Sequence, residues 1–252
     1  MRIITNDKLI ARRGRIGQVV SWGGLGVLFV GMIVSFRARP DSPSYGLWIM
    51  ISFLCLAVGF VSANIGGYFL RRWGRRPRPD ELVARALKGL DDRFAFLAWT
   101  LPAPMVLIGP RGLFVFVTRD QSGPIYADGD RWRQPFRFSR LLTAFAQEGL
   151  GSPSLEALDD AERLRKHIAS HLPDLENVPI TPVVVFLHPK AELHLNNPSV
   201  AAVPIKTLKE YVRNPESGTP LKAADRQALF ELFGVPARKS KAEKEREAAE
   251  AG

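Results

Sequence analysis

The sequence predicts an α/β protein in two parts: two transmembrane helices, then a mixed-sheet domain flanked by helices. Three observations predict it. Two long uncharged stretches precede residue 71, the net charge splits near Asp80, and β-rich runs alternate with helix-periodic ones thereafter.

Between Arg15 and Arg37 no residue is charged, and Gln18 to Phe36 supplies 19 residues, close to the ~20 that cross a hydrocarbon core as a helix. Tyr45 to Leu70 supplies 26 uncharged residues. The linker Arg37 to Ser44 carries Pro40 and Pro43 and is too short for a domain, so the pair reads as a helical hairpin. A secretory signal fits less well: the first stretch exceeds the ~7 to 15 residues of a signal's apolar region, and no small-x-small site follows it. Neither span contains a carboxylate, His, Lys or Arg, so a pump or carrier lacks its usual parts; Asn64 alone offers one amide at depth.

The formal charge of +10 resembles a nucleic-acid footprint until it is divided by position. Before Asp80 stand 12 basic residues against Asp7 and Asp41; from Asp80 onward 23 basic residues meet 23 acidic ones. The excess therefore flanks the apolar stretches, where orientation in a lipid bilayer explains it, and the neutral remainder gives no support to a nucleic-acid partner. Five basic residues precede the first span, two lie in the linker and five follow the second. That bias places both termini and the following domain on the cytoplasmic face of a cell (inner) membrane. Gly59, Ala63 and Gly67 recur every four residues, a stripe that suits close packing on the first span or self-association with another copy. The single cysteine, Cys55, excludes a disulfide framework.

Residues 1–79 thus read as the anchor (spans 18–36 and 45–70), 80–235 as one α/β domain, and 236–252 as a charged tail without large apolar residues. Asp80 can cap a helix through Leu90, and Phe94 to Thr100 reads as a strand. Met105 to Ile108 and Leu113 to Thr118 form a hairpin about Gly109-Pro-Arg-Gly112. Pro124 to Ala127 and the turn at Asp128-Gly129-Asp130 continue that meander into Trp132. Helical patterns follow at Phe138 to Glu148 and from Pro153 to Leu172, then a buried strand at Ile180 to Leu187. Two short helices close the domain, at Ile205 to Arg213 and Leu221 to Phe233.

The frame PMVLIGPRGLFVFVTRDQSGPI, Pro104 to Ile125, resembles the nuclease-related domain family NERD, a branch of the PD-(D/E)XK nuclease fold. PVVVFLHPKAEL (Pro182 to Leu193) and IKTLKEYV (Ile205 to Val212) are similar to the family's closing strand and helix. The resemblance covers most of residues 80–214 and implies a restriction-endonuclease-like mixed sheet. Carried onto this chain, the family's catalytic Asp falls on Pro104, its Glu on Val117 and its Lys on Arg119; Glu81 stands near the first-helix Glu. Cleavage of a phosphodiester in that fold needs carboxylate oxygens on a cation such as Mg²⁺, and Pro and Val supply none. Arginine stays protonated and cannot replace a lysine base. The expectation is a pseudoenzyme, with no catalytic residues and no metal or other cofactor, acting as a binding or scaffold module toward an unidentified protein partner. The alternative is a Mg²⁺-dependent nuclease with relocated carboxylates Glu81 and Asp120. Arg111 and Arg119 are candidate phosphate contacts, weighed against ordinary surface arginines.

Other constellations are weaker. His167 and His171 have the one-turn spacing of zinc ligands without a third partner, so boundary histidines on a helix are expected. His188, Glu192 and His194 lack ligand spacing. Phe94, Phe96, Phe114 and Phe116 alternate as stacking platforms do, but core strands need the same residues. Walker, nucleophile-elbow, dinucleotide and C-x-x-C motifs are missing.

Overall fold

A computed structural model describes residues 1–74, 76–135, 149–214 and 219–236. The predicted helix at Phe138 to Glu148 and most of the predicted tail lie outside the described residues. The described residues divide into two units, one within Asn6–Glu81 and the other formed by Met1–Thr5 with the described residues from Leu82 onward.

The first unit is a helical hairpin. Helix α1 (Asp7–Arg37) and helix α2 (Tyr45–Phe69) are both long and apolar enough to cross a membrane. α1 begins eleven residues ahead of the predicted span because Asn6 caps it, its side chain accepting from the Leu9 N–H at 3.0 Å. Good helix formers then carry it through Arg15. Ile10, Gly14, Gly17, Gly24 and Gly31 are buried along α1, and Gly59 and Gly66 along α2, separated by threes, fours and sevens. This is a seam with a 3.5-residue repeat, built here from glycine so that the backbones approach closely. A Cβ on Gly24 would stand 2.7 Å from that of Ser62, and one on Gly31 2.6 Å from that of Cys55. The predicted stripe is turned by about one residue: Gly59 faces Leu28 of α1, whereas Gly67 faces the Arg71 guanidinium and Gly66 takes the seam position against Ser21. Large apolar side chains such as Trp22, Phe29, Phe53 and Phe60 point outward.

The second unit is built on a six-stranded mixed sheet in the order β1-β2-β3-β4-β7-β9. Its strands are β1 (Arg2–Thr5), β2 (Ala95–Ala98), β3 (Met105–Gly109), β4 (Gly112–Arg119), β7 (Ile180–Phe186) and β9 (Ala201–Pro204). Strands β2 to β4 are antiparallel neighbours; β1 joins β2, β7 joins β4 and β9 joins β7, all in parallel. The predicted hairpin is present with Gly109 paired to Gly112, whose φ of +94° and 2.6 Å clearance to the Pro179 carbonyl admit glycine alone. β1 is an element the sequence reading misses. Four residues ahead of a long hydrophobic helix carry too little pattern to register as a strand, yet Ile4 packs on the core and Arg2 lies 4.1 Å over the Phe230 ring.

Helix α4 (Pro153–His171) covers one face of the sheet, placing Ala161, Leu164 and Ile168 against Val106, Ile108 and Val115. Helix α6 (Ala223–Leu232) adds Leu229 and Phe230 to the same cluster. On the other face Tyr211, of helix α5 (Leu208–Arg213), meets Phe114 edge-on at 6.4 Å. Phe94, Phe96, Phe114 and Phe116 are all buried, so they serve the core and are closed to any stacking ligand. Helix α3 (Pro79–Ala86) is shorter than predicted, ending in a turn at Gly89 with φ +85°.

A correction concerns the expected meander. After Gly123, at φ +78°, the chain leaves the main sheet. Strands β5 (Gly123–Asp128) and β6 (Arg131–Arg133) instead form a second, three-stranded sheet with β8 (Ala191–Asn196), in the order β6-β5-β8. Ile125 points into a cluster with Val117, Ala157 and Phe186 and Ala127 is buried on the same side, while Tyr126 and Asp128 point out. β8 has the alternation of a half-buried strand in Ala191-Glu-Leu-His-Leu-Asn196, a signal the sequence carries.

Candidate functional site

β4 brings Val117 and Arg119 to one side of the main sheet, as alternation on a strand requires. Val117 is buried among Ile125, Ala157, Val184 and Phe186. The position therefore belongs to a hydrocarbon layer closed by α4. Arg119, only 7% exposed, is held from three directions. Its Nε donates to the Leu150 carbonyl at 2.9 Å, Nη1 to the Thr118 carbonyl at 3.0 Å, and Nη2 to the Glu156 carboxylate. Glu156 lies in the first turn of α4, so this guanidinium ties the end of β4 to the loop and helix that cover it. Each of its three nitrogens donates to a protein group, which is the geometry of an internal anchor.

The other sequence candidates are dispersed. Pro104 sits in the loop before β3, where its carbonyl accepts from the Trp99 N–H at 2.7 Å. Asp120 follows β4 and is exposed, and partial desolvation pushes its carboxyl above the ordinary range while nearby His188 works the other way. Arg111 occupies the β3–β4 turn. Glu81, in the helical-hairpin unit, accepts from the Arg78 N–H at 3.3 Å and pairs with the Arg78 guanidinium at 3.1 Å. Arg78 also holds the buried Asp80 at 3.2 Å. Against the opposing cost of burial, these carboxylates raise the guanidinium's pKa.

A divalent cation binds through oxygen ligands; Val117 offers none, and the Arg119 guanidinium beside it is itself a cation already paired with Glu156. Among the described residues no group of three His, Cys, Asp or Glu is placed to hold a metal ion. His167 and His171 pack ring to ring at 4.6 Å, with His167 also stacked on Phe233 at 6.3 Å. Burial, and then the neighbouring His171, lower the pKa of His167, as suits a boundary histidine. His188 accepts from the Lys190 N–H at 3.1 Å.

Residues that sequence reasoning missed lie on the outer face of the second sheet. Register aligns Arg133, Tyr126 and His194 in one row across β6, β5 and β8, and Arg131, Asp128 and Asn196 in the next. Cross-strand rows depend on a pairing between segments 68 residues apart, so spacing along the chain could not reveal them. No curated protein and no solved structure gives a significant match to the chain. Residues 81–187, which hold β2 to β7 and α4, match the family model of the nuclease-related domain (NERD).

Proposed function

We propose that this chain is a membrane-anchored nuclease-related protein whose domain has lost the catalytic chemistry and acts as a cytoplasmic binding or scaffold module. The observation that carries the reading is the pair at the end of β4: a buried valine, and an arginine consumed by Leu150, Thr118 and Glu156. Phosphodiester cleavage in such a fold proceeds by cation-activated water, and these two positions supply neither ligand nor base.

Anchoring is supported by the inverted packing of the hairpin. Glycines fill the seam and Trp, Phe and Leu face outward, the reverse of what water would favour. β1 precedes both helices and β2 follows them, yet the two strands pair. Pairing needs them in one compartment, which favours a two-span hairpin with both ends on the same side. The basic collars then favour the cytoplasmic side. An unidentified protein partner, or a second copy engaged through the face of α2 away from α1, remains the expected class of contact in the membrane.

The test is a cleavage assay on DNA and RNA with Mg²⁺ or Mn²⁺, using the full chain in detergent. Intact substrate is expected. Cleavage that disappears in Glu81→Ala or Asp120→Ala overturns the reading in favour of a nuclease with relocated carboxylates. One observation favours that second reading: Asp120 adjoins the family's lysine position, and its desolvated carboxyl is held above its usual pKa. Alkaline extraction tests the anchor, since recovery of the chain without detergent refutes a membrane-spanning hairpin.

A further inference from the structure

The outer face of the β6-β5-β8 sheet carries an open groove of about 820 Å³ lined by Tyr126, Asp128, Arg131, Arg133, His194 and Asn196, among others. Tyr126 is 44% exposed, and its ring stacks on that of His194 at 4.7 Å and 14°. A large aromatic side chain left on the solvent face of a strand, when its neighbours Ile125 and Ala127 are buried, contributes nothing to this domain's core. Arg131 and Arg133 flank the stack from the edge strand; both are exposed, and neither bonds to another described residue. The one carboxylate lining the groove, Asp128, is occupied by the Asn196 amide, which donates to it at 2.8 Å. Within a chain portion, residues 80–252, of zero net charge, this places two guanidinium groups uncommitted among the described residues beside an exposed π-stack.

We propose that this groove binds single-stranded nucleic acid, with a base continuing the Tyr126–His194 stack and Arg131 and Arg133 pairing with the flanking phosphates. The assignment rests on the reading of the domain as a binding module and names its ligand class. The chemistry favours a single strand over a duplex, because only unpaired bases offer a π-face to an aromatic platform. It favours nucleic acid over an acidic peptide because an acidic peptide uses the two cations but leaves the stack without a planar partner.

Fluorescence anisotropy of labelled oligo(U) and oligo(dT) of about a dozen nucleotides tests it, on the full chain in zwitterionic detergent with EDTA present. Single strands are expected to bind more tightly than a duplex of equal length. Tyr126→Ala is expected to weaken binding about tenfold. The exposed-strand variant Arg131→Ser/Arg133→Ser is expected to weaken it as well and to flatten the log–log salt dependence by about 1.4. Absence of binding, preference for the duplex, or binding unchanged in both variants overturns the proposal; thermal melts confirm that each variant is folded. Since EDTA removes any cation, this result is independent of the cleavage assay. Metal-dependent cleavage would defeat the degenerate reading while leaving groove binding to stand or fall alone.

Discussion

Replacing Arg119 with methionine is the sharpest test of the claim that this side chain is an internal anchor. The substitution keeps the length of the stem and removes every donor. Three acceptors lose their partner: the Leu150 and Thr118 carbonyls and the Glu156 carboxylate. Breaking a fully buried ion pair costs about 3–5 kcal/mol, but Glu156 is 35% exposed and regains water, so the lower part of that range applies. A loss of about 3 kcal/mol corresponds to a fall in melting temperature of about 6–12 °C in a protein of this size. Thermal unfolding of the full chain in detergent, followed by near-ultraviolet circular dichroism at a fixed scan rate, reads it. Arg119→Lys should fall between the two, because an ammonium cannot serve three acceptors in the fixed directions of a guanidinium. A double-mutant cycle with Glu156→Gln should show a coupling of about 1 kcal/mol or more. If Arg119→Met melts with the parent protein, the anchor argument is refuted and a ligand-facing role for Arg119 regains its standing.

Ile4→Asp, on a strand ahead of both hydrophobic helices, should destabilise the α/β unit by about 2 kcal/mol, seen as faster proteolysis after residue 82; an unchanged pattern means β1 does not belong to the sheet. Gly24→Leu should destabilise the helical hairpin by about 1–3 kcal/mol, while Gly23→Leu, with nothing within 4 Å, should be neutral; equal effects would refute the glycine seam. The pKa of His167 is depressed on folding, so the unfolded chain binds the proton more readily and stability falls as pH drops from about 6.5 through the folded value. His167→Gln should flatten the change in melting temperature between neutral and mildly acid pH, and a parallel profile would contradict this.

Several parts of the fold were legible because their signals are local. The β3–β4 hairpin is written in two β-rich runs around Gly-Pro-Arg-Gly, and α4 in Pro153 with its apolar period. The family resemblance rests on the same stretch. Other parts were not legible. β1 and β9 have four residues each, and β9 offers only Ala-Ala-Val-Pro. Arg119 looked like a free cation in sequence because its acceptor Glu156 stands 37 residues away.

The sequence alone determined the two hydrophobic helices, the neutral α/β portion and the lack of a carboxylate at Pro104, Val117 and Arg119, since composition and residue identity do not depend on how the chain folds. Only the tertiary structure decided that the first five residues close the edge of the sheet, that Arg119 is spent on internal acceptors, and that Tyr126, His194, Arg131 and Arg133 share one groove. The physical reason is that each of these depends on strand register or helix packing between distant segments. Such pairings gain their free energy when the whole core forms, and no short window of sequence contains them.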